Sequence, residues 1–238
     1  MLRNLTIKQK LTRYNYSDAS RGRGQIQYIV IHFYGDLGTA AGVADWFASQ
    51  YVGASAHYAV DETTTVWQSV LDEDIAWHCG AYSYIHPKCR NSNSIGIELR
   101  PNKINRGSIN AYNTDWYFEP IVIDHAVELT MHLMEKYGIK PENVIRHFDV
   151  TGKYCPRPWL GKDMNTYYHT TGDAQWEKFK ERIGDEVVEN SQMIVDGKVV
   201  PVERILKNGT NYVKIRDVAA ALDLNVSNRG NIPVLTSK

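Results

Sequence analysis

Residues Gln25 to Phe33 (QIQYIVIHF) constrain this chain more than any other stretch. Their hydrophobic side chains fall on consecutive positions, and a strand turns successive side chains to opposite faces. Both faces of such a strand must be covered, which places it in the middle of a sheet packed on each side. A histidine, His32, sits next to the last residue of this strand, and the turn-forming Tyr34-Gly-Asp36 follows Phe33. The 24 residues before it are polar and read as an irregular arm.

Further elements fit around this strand. Thr39 is positioned to N-cap a helix to about Ser49, with Val43, Trp46 and Phe47 toward a core. Short strands are expected at Ala56–Asp61, Thr64–Ser69 and Ser94–Leu99. Within Tyr112–Gly138, Val122, Ala126, Leu129 and Leu133 recur at helical spacing, and Gly138 supplies the stop. Asn143–Phe148 reads as a strand carrying His147, and Trp176, Phe179 and Ile183 mark a helix closed by Gly184. The expected class is α/β: a mixed central β-sheet flanked by helices. After Gly184 the pattern changes. Residues 185–192 read as a polar linker, and 193–238 as a small α+β module opening with a hairpin turned at Asp196-Gly197.

Several functions are excluded by composition. With 27 Lys and Arg against 27 Asp and Glu there is no basic surplus, which argues against a nucleic-acid partner. No apolar run reaches the roughly 18 to 20 residues of a membrane span, so no membrane insertion is expected. The polar start lacks the apolar core of a secretion signal, so a cytoplasmic site of synthesis is expected. Three cysteines, Cys79, Cys89 and Cys155, are too few for a disulfide scaffold.

The chemistry-bearing set is His32, His147 and, eight residues on, Cys155. Two imidazoles and a thiolate are Zn2+ ligands, and three protein ligands leave a fourth position for water or substrate. His32 and His147 lie 115 positions apart, which excludes a zinc finger. Ser-Ile-Gly-Ile-Glu98 sets a carboxylate inside an apolar strand, costly unless it faces a cleft or a metal. Pro156 and Pro158 stiffen the loop that carries Lys153 and Cys155. Other readings stay open: a cysteine hydrolase using Cys155 with His147 as base, and a second zinc site from His78, Cys79, His86 and Cys89. Cys79 and Cys89 are expected as free thiols.

As a set, Tyr28-Ile-Val-Ile-His32, Ala56-His-Tyr58, Ala76-Trp-His78-Cys-Gly80, Asn93-Ser-Ile-Gly-Ile-Glu98-Leu and the stretch His147 to Pro158 resemble one family. It is the zinc-dependent N-acetylmuramoyl-L-alanine amidases of the type-2 amidase and peptidoglycan-recognition superfamily. The resemblance runs from about residue 12 to about 183. It implies one Zn2+ held by His32, His147 and Cys155, with Glu98 as catalytic carboxylate and Lys153 as the cation that stabilises the oxyanion. It places Tyr58 beside the attacking water, and Trp77 and His78 in a substrate groove. Cys79 departs from the small residue usual at its position. The implied substrate is bacterial peptidoglycan, cut between N-acetylmuramic acid and L-alanine, and a non-catalytic peptidoglycan-binding relative is the alternative. With a tail like small cell-surface repeat modules, the layout is that of a phage or prophage endolysin acting at the wall after release. The tail is expected to bind cell wall or to mediate a homodimer.

Overall fold

The computed structural model describes residues 2–184, 188–207, 210–230 and 232–238. They fall into two compact units, Met1–Gly184 and Asp185–Lys238. The first is built on a six-stranded sheet. In chain order its strands are β1 (Thr6–Gln9), β2 (Tyr28–Phe33), β3 (Tyr58–Val60), β4 (Thr65–Gln68), β5 (Ser94–Leu99) and β6 (Val144–Arg146). Across the sheet they run β1-β4-β3-β5-β2-β6. All neighbours are parallel except β3 and β4, a hairpin, so the sheet is mixed as expected. All six residues of β2 are buried.

Register decides what each face holds. Directly paired residues of parallel strands share a face, and Tyr58 pairs with Ile97 while His32 pairs with Glu98. One face therefore gathers Ile29, Ile31 and Phe33 with Ile95, Ile97, Leu99, Tyr58 and Val60. It packs on Val122, Ala126, Leu129 and Leu133 of helix α2 (Pro120–Tyr137) and on Trp176, Phe179 and Ile183 of a later helix (Gly172–Gly184). Helix α2 stops where Gly138 takes the left-handed conformation at φ 69°. The other face carries Tyr28, Val30 and Ile145 against Cys79, Cys89 and Val150. Here the cover is a loop rather than a long helix.

Four expectations need correction. The first 24 residues are not wholly irregular, because β1 pairs with β4 along the sheet edge. In its Thr-Ile-Lys-Gln sequence only Ile7 is partly buried against the core, so the burial signal is weak and backbone pairing defines the strand. Helix α1 (Ala40–Ser49) is N-capped by Thr39 as expected, but it buries Ala40, Ala44 and Phe47 while Trp46 stays 48% exposed. The two alanines form the buried stripe with Phe47, and they leave the larger side chains outside. His147 does not lie in a strand: β6 ends at Arg146, and His147 opens helix α3 (His147–Thr151). The Asp149 carboxylate starts that helix by accepting from the Arg146 amide at 2.9 Å.

The last correction concerns the linker. In the second unit, strand β7 (Val188–Val195) includes residues 188–192 of the expected linker, and residues 185–187 lie outside the described residues. It pairs antiparallel with β8 (Lys198–Lys207) through Asp196 and Gly197, both left-handed at φ 47° and 78°. A third strand (Thr210–Val213), a short helix (Ile215–Ala221) and a terminal hairpin (Leu224–Arg229 with Ile232–Ser237) complete this unit. Among the described residues no helix is long and apolar enough to cross a membrane.

Candidate metal centre and active site

The site forms at the carboxyl ends of β2, β5 and β6, where open α/β sheets place ligands. In-register pairing sets His32 beside Glu98 on the loop-covered face. Because β6 lies next to β2, the turn into α3 brings the His147 ring to 4.6 Å from that of His32, centroid to centroid. Gly152, left-handed at φ 80°, ends α3 and sends the chain back. Phe148 then donates its amide to the Cys155 carbonyl at 2.8 Å, and the Cys155 Sγ faces His32 Nδ1 at 3.7 Å.

One donor atom each from His32, His147 and Cys155 lies within 4.8 Å of the others, and all three residues are buried. Burial, followed by His147, His78 and Lys153, holds the His32 imidazole well below its usual range. Burial, then Lys153 and His78, lowers His147 to about 3. Both rings are therefore neutral at pH 7, the state that offers a lone pair to a metal. Burial and the Glu98 carboxylate push the Cys155 thiol up, with Lys153 opposing. Burial also raises Glu98 to about 7, again against the pull of Lys153.

The residues fit a divalent zinc ion. His147 Nδ1 is buried and has no hydrogen-bond partner among the described residues, an expensive state for a polar atom unless a ligand completes it. Tetrahedral bonds of ordinary length would separate a zinc-bound nitrogen and sulfur by about 3.6 Å, close to the 3.7 Å between His32 Nδ1 and Cys155 Sγ. A cation there would favour the thiolate that burial alone disfavours. Glu98 Oε2 is likewise buried and unpartnered.

Residues 22–158, more than half of the chain, match the N-acetylmuramoyl-L-alanine amidase family. The chain belongs to that family. It is 30% identical over 131 residues to N-acetylmuramoyl-L-alanine amidase AmiD of Escherichia coli (strain K12), covering 53% of this chain and 46% of that one. It is 29% identical over 147 residues to N-acetylmuramoyl-L-alanine amidase CwlL of Bacillus licheniformis, covering 57% of this chain and 37% of CwlL. These matches span less than half the length of either relative. Among solved structures, the catalytic domain of XlyA aligns with a TM-score of 0.53 and 25% identity, over 76% of this chain and all of that domain. PlyL aligns with the same TM-score at 22% identity, over 76% of this chain and 99% of PlyL, and shares the fold.

Within this amidase-family unit the other expected site residues divide. Lys153, exposed on the loop between α3 and Cys155, lines a cleft of about 590 Å3 together with His147, Trp77, His78, Tyr82 and Asn91. Trp77 is half-buried, donates from its indole to Ser17 Oγ at 2.9 Å and meets the Tyr51 ring edge-on. The position expected for Tyr58 is not borne out. On β3 it is Ala59 that pairs with Glu98, so Tyr58 points to the opposite face. Its hydroxyl donates to Asp72 Oδ1 at 2.6 Å.

A second zinc site does not form. Among the described residues the His32, His147 and Cys155 group is the metal-competent cluster. His86 Nδ1 instead accepts from the Lys88 and Cys89 amides, and His78 turns to His32. All three cysteines are free and buried. The sequence reading missed Asn91, whose side-chain oxygen accepts the His78 and Cys79 amides at 3.2 and 2.7 Å. It also missed Ser94 and Gly96. Glycine between two isoleucines inside a strand was the available signal, since it marks close approach by another group.

Proposed function

We propose that the chain is a zinc-dependent hydrolase that cuts the amide between N-acetylmuramic acid and L-alanine in bacterial peptidoglycan, in the manner of an endolysin or autolysin. The observation that carries this reading is the pairing of three buried metal-donor atoms with an unpartnered carboxylate, Glu98, one strand away. A zinc ion held by His32, His147 and Cys155 would acidify a water and polarise the scissile carbonyl.

The chain's own groups do the rest. Glu98, poised near neutrality by burial, takes a proton from the attacking water on its unpartnered Oε2 and returns it to the departing alanine nitrogen. The exposed Lys153 ammonium, part of the cleft lining, donates to the carbonyl oxygen as that atom gains charge. Trp77 and Tyr82 in the cleft wall offer apolar faces to sugar or peptide. The rival cysteine hydrolase fits less well. A nucleophilic thiol needs a lowered pKa and access, whereas Cys155 is buried with its thiol pushed up.

Mass spectrometry of peptidoglycan digested with and without chelator and zinc add-back tests this reading. Stem peptides beginning with L-alanine, beside intact glycan and lost on chelation, are the expected products. Cuts within the peptide or the sugar chain would refute the assigned bond, and activity that survives chelation would favour the thiol mechanism. The second unit, residues 185–238, is proposed to hold the enzyme on its polymer and so raise the local substrate concentration. Comparing wall retention of the full chain with that of residues 1–184 tests this, and equal retention would refute it. A doubled mass in sedimentation that residues 1–184 lack would assign that unit to dimerisation instead.

A further inference from the structure

His78 sits at the wall of the cleft but is only 8% exposed, and its polar atoms are turned inward. Its Nδ1 lies 3.0 Å from His32 Nε2, and its own Nε2 lies 3.0 Å from Ser94 Oγ. Ser94 Oγ in turn donates to the Arg90 carbonyl at 2.7 Å. This chain of contacts can be donated in one direction. A carbonyl oxygen only accepts, so the Ser94 hydroxyl proton points to Arg90. Ser94 Oγ then accepts from His78 Nε2–H, which leaves a lone pair on His78 Nδ1. That lone pair accepts His32 Nε2–H, and the free lone pair of His32 falls on Nδ1, the atom 3.7 Å from Cys155 Sγ.

Two further features hold the ring in place. Asn91 fixes the backbone at His78 and Cys79. Gly96 leaves the space above the strand that the imidazole fills: a Cβ there would stand 2.6 Å from His78 Cγ and 2.8 Å from Nδ1. That distance is inside van der Waals contact, so only glycine admits the ring at this height.

We propose that His78, locked by Ser94, is a positioning residue that fixes the tautomer and the ring plane of His32 so that its Nδ1 faces the metal. The assignment rests on the metal centre proposed above. Hydrogen bonds of this kind from a ligand histidine raise its basicity, and their loss typically weakens metal binding tenfold to a hundredfold. The role differs from the substrate contact expected of His78 from sequence, because the ring nitrogens that would meet substrate are both engaged with protein.

The test uses the full chain and the variants His78→Ala, His78→Asn and Ser94→Ala. Zinc affinity is read by competition with a chromophoric chelator, the ligand field by the absorption of the Co2+-loaded protein, and folding by the melting of the metal-free protein. His78→Ala should bind zinc about tenfold to a hundredfold more weakly and shift the Co2+ bands. His78→Asn places its side-chain oxygen where Nδ1 was and should recover most of the affinity. Ser94→Ala should show a smaller loss in the same direction. Wild-type affinity in His78→Ala, or equal losses in His78→Ala and His78→Asn, would overturn the proposal. Should His78→Ala fail to fold, wild-type affinity in a folded Ser94→Ala would overturn it as well. Failure of the wild-type chain to bind zinc would instead refute the metal centre, and the positioning role with it.

Discussion

Two buried polar clusters lie on opposite faces of one sheet, and they differ in how fully their side chains are partnered. Around Tyr58 the tyrosine hydroxyl and both Asp72 carboxylate oxygens are partnered. The tyrosine hydroxyl donates to Asp72 Oδ1 and accepts from Gln68 Nε2 at 3.1 Å, while Asp72 Oδ2 accepts from Lys136 Nζ at 2.8 Å and from Tyr137. Around His32 two buried atoms, Glu98 Oε2 and His147 Nδ1, have no partner among the described residues. A saturated buried network stabilises the fold, whereas open valences in a buried site cost stability and persist where a ligand or a reaction uses them. Sequence cannot separate the two cases, because both consist of ordinary polar residues in or beside strands.

The largest effect expected on the open cluster comes from Glu98→Ala. Turnover of peptidoglycan should fall by about two to four orders of magnitude, the usual worth of a general base, while zinc binding remains. Thermal stability should hold or rise, because an unpartnered buried carboxylate is removed. Muropeptide release and a melting curve on the same preparation check both halves. Full activity would remove Glu98 from its role, and a collapse in stability would contradict the contrast between the clusters.

Gly96→Ala comes next. The new methyl group has to displace the His78 ring at its root, and overpacking of this sort costs about 1 to 3 kcal/mol. Zinc affinity should fall with stability, because the displaced ring is the one bonded to His32. Competition titration with a chelator gives the first number and denaturant unfolding the second. A stable variant with unchanged zinc affinity would show that His78 can move without consequence.

Asp72→Asn probes the closed cluster. Burial pushes the Asp72 carboxyl up, but hydrogen bonds from Lys136, Tyr137 and Tyr58 outweigh it and leave the group below its usual range. A folded-state pKa below the unfolded one adds stability above the unfolded value near 4, and that stability is lost as pH falls through the folded value. The variant should therefore be less stable than wild type by about 2 kcal/mol at neutral pH, with the gap closing in acid below about pH 4. Unfolding curves across that range test the sign. A gap that is constant or widens toward acid would be incompatible with a depressed carboxyl.

Much of the open cluster was legible because its residues end long apolar runs. His32 is the next-to-last residue of a fully buried strand and Glu98 holds the same place in another, so their burial followed from hydrophobic neighbours alone. Helix α2 was equally plain, since four core positions at helical spacing and a terminal glycine all agree. The edge strand Thr6–Gln9 was not legible, because backbone pairing rather than side-chain burial makes it a strand. His147 was assigned to the wrong element for a related reason: the Asp149 cap that turns strand into helix acts over three residues, within an otherwise strand-like stretch. Ser94 and Gly96 act through distances that no spacing rule encodes.

Tyr58 is the sharpest case, since its neighbours His57 and Ala59 point to the site face and it does not. A one-residue alternation therefore separates a catalytic role from a structural one. Tyr58→Phe should lower stability by about 1 kcal/mol, the worth of one buried hydrogen bond with its partner left short of a donor. Asp72 keeps Lys136 and Tyr137 as donors, which limits the loss. Turnover and its dependence on zinc should stay at the wild-type level, because the hydroxyl removed lies across the sheet from Glu98. Stem-peptide release at saturating substrate, measured beside a denaturant melt, gives both values. A large fall in turnover with little change in stability would place Tyr58 back among the catalytic groups. It would also mean that the sheet face a residue occupies is a weaker guide to its role than the two clusters imply.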